Sequence, residues 1–441
     1  MKTHLGLDLM RRTDGGWITR GALIMSAAPI VMLAAMLAGC AEPHPPDTPM
    51  QFVLDGGGAG IPTTAVDPGS GAVYWAWFGK DDEGQAAVYA AALRPTDSEP
   101  GRPVRVSPPE VSVNAHPQAP PQIAVSNDGT VYVVWSTRRE IEGRRFPASH
   151  LQLARSIDGG RTFEAPIFVN DDASGPPAGH TFHNLATGPD GTVFVSWLDS
   201  RDDGEAHAQH HHHGASSTTV RVARSENGGQ SFDPGVVVAR GSCQCCRTSL
   251  HIAPNGTIYI AWRHIFGENT RDIAVARSEN GGRTFSEPTR VHDDNWDIDG
   301  CPHAGPVIAT DAGGNVHVGW YTAASGREGI YHAVSENGGV TFSEPEPLIT
   351  RVPISRVDMA PTDPGVTLIW EDAPSGELHI RNTSDAALPL RRMKGSAPTL
   401  AHAHGITALA WEQEDGVRGA VWREADPPVS RALATVRPDK R

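Results

Sequence analysis

A seven-residue phrase recurs along this 441-residue chain: a glycine turn, an alternation of β-branched or aromatic residues, and a closing tryptophan. It reads Gly129-Thr-Val-Tyr-Val-Val-Trp135, Gly191-Thr-Val-Phe-Val-Ser-Trp197, Gly256-Thr-Ile-Tyr-Ile-Ala-Trp262 and Gly314-Asn-Val-His-Val-Gly-Trp320, with weaker copies ending at Trp77, Trp370 and Trp411. Each copy is a strand launched from a turn such as Asn127-Asp128-Gly129, the sequence form of a tight hairpin. Around every copy the order repeats: a strand such as Gln122-Ile-Ala-Val125, the hairpin, the Trp-ending strand, a polar loop, a third strand such as Leu151-Gln-Leu-Ala-Arg155, and a shorter fourth. Such units cannot bury both faces alone, and stacking them radially hides their edges. The expectation is an all-β chain folded as a β-propeller of four-stranded blades over residues 51–425. Its 47 glycines and 36 prolines supply the many turns this needs. Seven copies predict seven blades. The last unit looks one strand short, and Gln51-Phe-Val-Leu54, left over before the first, would complete it. The alternative is six blades with one weak unit outside the ring.

The first 39 residues have a different composition. Lys2, Arg11, Arg12 and Arg20 precede an apolar run from Gly21 to Ala38 that ends in Leu37-Ala38-Gly39-Cys40. A basic start, an apolar middle and small residues before a cut are the marks of a signal peptide. A cysteine directly after the cut adds lipidation at Cys40, and the acyl chains would hold the protein at a membrane surface. An uncleaved transmembrane anchor is the competing reading. The expected organisation is a signal peptide over 1–39, a linker over 40–50, the propeller, and a tail over 426–441. The protein is then exported and lipid-anchored at the outer membrane or cell surface. The mature part carries 33 basic against 49 acidic residues, a net charge of −16. That balance leaves no footprint for nucleic acid.

Four units carry a second motif after their third strand: Ser156-Ile-Asp-Gly-Gly-Arg-Thr-Phe163, Ser225-Glu-Asn-Gly-Gly-Gln-Ser-Phe232, Ser278-Glu-Asn-Gly-Gly-Arg-Thr-Phe285 and Ser335-Glu-Asn-Gly-Gly-Val-Thr-Phe342. The Asp or Asn can bond its own backbone, the glycines supply positive φ, and the Phe packs under the turn. These resemble the Asp boxes (BNR repeats) of sialidases and related propellers, scaffold turns on the face away from the usual active site.

The opposite face gathers the loops between blades and those from second to third strands. The loops between blades include Asn114-Ala-His-Pro117, Gly179-His-Thr-Phe-His183, Ser242-Cys-Gln-Cys-Cys-Arg247, Asp299-Gly-Cys-Pro-His303 and Ile354-Ser-Arg-Val-Asp358. Cys243, Cys245, Cys246, Cys301 and His303, with His183 as a further candidate, suit a soft or borderline metal such as copper or zinc. The neighbouring His207–His213 tract has a metal-collecting composition. Export favours disulfides, so bridged or unpaired structural cysteines are the alternatives.

The sialidase resemblance implies three arginines on a carboxylate, an Asp acid/base, and a Tyr nucleophile activated by a Glu. Here Arg201, Arg247, Arg263 and Arg356 are the candidate cations, Asp199 the acid, Tyr321 the nucleophile, and Glu328 or Glu371 its partner. None matches by motif. The Arg-Ile-Pro that opens such sequences reads Gly60-Ile61-Pro62, and Arg145-Phe146-Pro147 lies in another loop. Two classes of function are expected: a binding propeller for a small-molecule, glycan or protein ligand, including an interaction scaffold, or a hydrolase of sialic acid or another acidic sugar.

Overall fold

A computed structural model describes residues 50–55, 60–143, 147–202, 218–384 and 391–423. The signal peptide, Cys40 and its linker, Arg145 and Phe146, the His207–His213 tract and the C-terminal tail lie outside the described residues. The chain divides into residues 1–44 and 45–441, and the described residues all belong to the second unit. Among the described residues no helix is long and apolar enough to cross a membrane.

Seven four-stranded antiparallel sheets form a seven-bladed β-propeller. The innermost strands, in blade order, are Gly60–Val66, Gln122–Val125, His180–Thr187, Ser249–Ile252, Val307–Thr310, Val357–Pro361 and Ser396–Ala403. Each touches the next around the ring, and the seventh returns to the first. Blade 7 takes its outer strand from the start of the chain: Met50–Asp55 pairs with Gly416–Arg423, Met50 opposite Val421 and Phe52 opposite Gly419. The leftover segment therefore closes the ring, and the six-bladed alternative is excluded.

The recurring tryptophan explains why the blades stack. The described core divides into seven apolar clusters, one per seam between neighbouring blades, and each holds one repeat tryptophan: Trp77, Trp135, Trp197, Trp262, Trp320, Trp370 or Trp411. All seven are at most 3% exposed. Truncating a buried tryptophan costs about 3–5 kcal/mol, so each seam has at least one strong anchor, and Trp75 adds a second beside Trp77 where the ring closes.

The Asp boxes join third and fourth strands. In the first, Asp158 Oδ1 accepts from Ser156 Oγ at 2.7 Å and from the amides of Arg161 and Thr162 at 3.0 Å, while Gly159 and Gly160 take φ of 71° and 76°. The boxes also fasten neighbouring blades. Their glycines lie against the rings of Tyr74, Tyr132, Phe194 and Tyr259 of the preceding blade. Arg94, Arg155, Arg224 and Arg277 of that same blade donate to the carbonyls of Gly159, Gly228, Gly281 and Gly338. Residues 382–391 of blade 6 contain no box sequence. Blade 5 has changed accordingly: His317 stands where blades 2, 3 and 4 place Tyr or Phe, and Val334 where those three place Arg. A cavity of about 540 Å³ remains there, lined by Asp311, His317, His332 and Glu346 among others.

Candidate thiol and imidazole site

Residues 241–248 lead from blade 3 to blade 4, and residues 291–306 from blade 4 to blade 5. They converge on the face opposite the Asp boxes. Cys243, Cys245 and Cys246 are buried in the same cluster as Trp262, with Cys301 packed against it. Cys243 Sγ lies 3.7 Å from Cys245 Sγ and 3.6 Å from Cys246 Sγ. A disulfide requires about 2.05 Å, and the four described cysteines, Cys243, Cys245, Cys246 and Cys301, are free thiols. The sulfurs of Cys243, Cys245 and Cys246 lie within 4.8 Å of one another; so do the ligand atoms of Cys245, Cys301 and His303. Cys245 is common to both groups.

Two arginines hold the loops together. The Cys243 amide donates to the Arg263 carbonyl at 2.9 Å, which fixes the first loop to blade 4. Arg271 donates from Nη1 both to Cys243 Sγ at 3.4 Å and to the Gly300 carbonyl at 2.5 Å, so one guanidinium spans both loops. Arg263, only 1% exposed, donates to the carbonyls of Ala304, Arg271 and Tyr321 and stacks over Trp296. Gly305 permits the approach: a Cβ there would fall 2.3 Å from the Arg247 carbonyl oxygen. His303 donates from Nδ1 to the Cys245 carbonyl at 3.1 Å. The lone pair of its Nε2 is then the one open to a metal, the arrangement usual for a ligating histidine.

The thiols share protons unequally. Hydrogen bonds from Cys245 and Cys246, with the Arg271 charge beside them, hold Cys243 well below the usual thiol range despite burial. Donation to the Cys243 sulfur pushes Cys245 up, and burial pushes Cys246 up. A thiolate is the nucleophilic and metal-ligating form of cysteine, and here one is already favoured.

Next to this cluster the loops close over the axis of the ring. The His116 ring packs edge-on to Phe182 at 5.4 Å and lies 5.7 Å from the His303 ring. Arg356, from the loop between blades 5 and 6, donates to the Pro117 carbonyl between blades 1 and 2. Arg247 donates to Val357 O at 3.3 Å. Burial, and then the Arg247 charge, bring Arg356 down to about 10. Burial raises Asp358 and Glu371, whose carboxylates accept from the amides of Leu400 and Ala397. Glu412 accepts from Ile61 N at 2.6 Å. Arg247, Arg356, Asp358, Glu371 and Glu412 thus interact around one axial mouth.

Of the residues singled out in the sequence, the structure brings together Cys243, Cys245, Cys246, Cys301 and His303, and separately Arg247, Arg356 and Glu371. It does not bring His183 to the cysteines. That side chain turns into the seam between blades 2 and 3, where Nε2 donates to the Val134 carbonyl at 3.3 Å. Tyr321 is 3% exposed and donates its hydroxyl to Val352 O at 3.1 Å, away from the axial arginines. Arg263 has its donors on carbonyls, which leaves no fork for a ligand carboxylate. Asp199 is fully buried and accepts from Trp197 Nε1 and from Arg201. Glu328 sits beside Tyr321 but does not receive its hydroxyl. The parts played by Arg271, His116 and Glu412 are not signalled by the sequence. Arg271 lies in a charged hairpin with nothing in its spacing to join it to a cysteine 28 positions earlier.

The profile of the BNR repeat-like domain matches residues 71–301, just over half of the chain. The chain belongs to the BNR repeat-like domain family. No curated protein matches this member in sequence. Among solved structures, a Hadza microbial sialidase is similar in fold at 12% identity, covering 77% of this chain and 73% of that one with a TM-score of 0.50. An ulvan lyase from a new family of polysaccharide lyases is similar at 12% identity, 85% and 96% coverage and a TM-score of 0.55. These likenesses bear on the scaffold that this BNR repeat-like protein shares with them. The thiols are a matter of its own loops.

Proposed function

We propose that this protein is an exported binding propeller, held at the cell envelope by a lipid on Cys40, whose loop face takes a soft metal ion, Cu(I) or zinc. The observation that carries the reading is the convergence of four free thiols and His303 from two loops. Sulfur separations of 3.6 and 3.7 Å match the edge of a coordination polyhedron, about 3.8 Å for metal–sulfur bonds of about 2.3 Å. Thiolates with imidazole select soft and borderline metals, and Arg271 offsets their charge. The test is the full chain carrying Cys40→Ser, purified without oxygen and assayed for copper, zinc and free thiols. Expected are bound metal and four titratable thiols after its removal. Four oxidised cysteines with no metal even under reduction would reject the reading. The same substitution should move the chain from the membrane to the soluble fraction, and retention in the membrane would reject the anchor.

A second reading is favoured by Arg247 and Arg356 at the axial mouth, which suit an acidic sugar. The ulvan lyase of similar fold was solved bound to -[GlcA(1-4)Rha3S]-. Binding of a sialylated or uronate-containing oligosaccharide, lost in Arg356→Met, supports this ligand class. Equal binding by that variant rejects the axial site. Turnover of a fluorogenic sialoside would add the hydrolase to it.

A further inference from the structure

The described donors do not form one sphere. Cys243 and Cys246 group with Cys245 on one side, and Cys301 and His303 group with Cys245 on the other. A single ion with bonds of about 2.0–2.3 Å draws its ligands into one polyhedron of at most four positions in a closed thiolate site. Five donors in two sets of three that share a sulfur describe a different object. A thiolate bound to one metal keeps further lone pairs, and it can bridge to a second.

We propose that the cluster holds two Cu(I) ions bridged by the Cys245 thiolate, one completed by Cys243 and Cys246 and the other by Cys301 and His303. This rests on the metal reading of the same loops. Low-coordinate Cu(I) suits three-donor sites, and soft sulfur ligands favour it. Loading involves no change of oxidation state: Cu(I) enters as Cu(I), and each thiol that becomes a ligand releases its proton to solvent. Four thiolates against two monovalent ions leave an excess of negative charge. Arg271 contacts Cys243 and the loop of Cys301 together, so its single positive charge is placed to offset part of that excess. His303 also touches His116 at the axial mouth, which puts the second ion nearest to any ligand arriving there.

The experiment titrates the full chain carrying Cys40→Ser with Cu(I) under anaerobic, reducing conditions, followed by desalting against a competing Cu(I) chelator. Copper per chain is then measured, and X-ray absorption is examined for copper–copper scattering. Two coppers with that scattering are expected. One copper per chain overturns the bridged pair while leaving the metal reading intact. No copper with four reactive thiols removes the metal reading itself. Cys301→Ala should retain one copper, Cys246→Ser one, and Cys245→Ser none that survives the chelator. One copper retained by Cys245→Ser refutes the bridge. Cys301 is the least buried of the four thiols, so its variant is the one least exposed to folding loss, and thermal unfolding of each variant without metal identifies misfolded chains.

Discussion

Two histidines from different inter-blade loops show how residue-scale chemistry is set by which way a side chain faces. His183 and His303 both follow loops that lead to the same face, and the sequence offers no reason to treat them differently. In the structure, pairing of His180–Thr187 slips between Thr181 and Asn184, and Phe182 takes a φ of 55°. A bulge of this kind changes which face each following residue occupies. Phe182 therefore meets His116 and His303, while His183 goes into the seam. Burial holds His183 down to about 4. The unfolded chain binds a proton at this position from about pH 6.5 downward, whereas the native chain does so only near 4. Neutral burial is thus fully tolerated above the unfolded value, and stability is lost as pH falls from about 6.5 toward 4, by about 1.4 kcal/mol per pH unit. In His183→Gln the melting temperature should fall less between pH 7 and pH 5 than in the parent protein, whatever its starting value. Equal falls would show that His183 does not contribute.

At the scale of elements, strands and turns were the most legible part of the chain, because alternation and Gly-rich turns encode them locally. The box at Ser156–Phe163 satisfies one carboxylate with three donors on Oδ1 and with Thr162 Oγ1 on Oδ2 at 2.7 Å. Its sequence alone announces this turn. The site on the far face had only half of that legibility. Cysteines in two inter-blade loops could be placed on a common face, but their grouping depends on Arg263, Arg271 and Gly305, whose roles arise from contacts distant along the chain. The two faces should respond separately. Asp158→Ala should lower the unfolding free energy by about 1–3 kcal/mol, through lost hydrogen bonds to a charged acceptor, and leave the metal content of the loop face unchanged. Urea unfolding and metal analysis on one preparation read both. A box variant that loses metal in the folded state would show the faces to be coupled.

The whole ring is a matter of counting: seven tryptophan phrases become seven seams, and a stray N-terminal strand completes the seventh blade. The count does not show that the seams differ. Those from blade 1 through blade 5 are each crossed by a box and an arginine, whereas the seam between blades 5 and 6 has the cavity beside His317 in that place. Amides in the strands facing that seam should exchange with deuterium faster than those of blades 2 to 4, since fewer interactions oppose local opening. Uniform exchange around the ring would remove this distinction. A closed ring distributes stress through every member, and its compliance is concentrated where it is least riveted. The four riveted seams are consecutive, from blade 1 to blade 5, so the thiols sit within the stiffened arc of the ring and the three seams without boxes make up its softer arc.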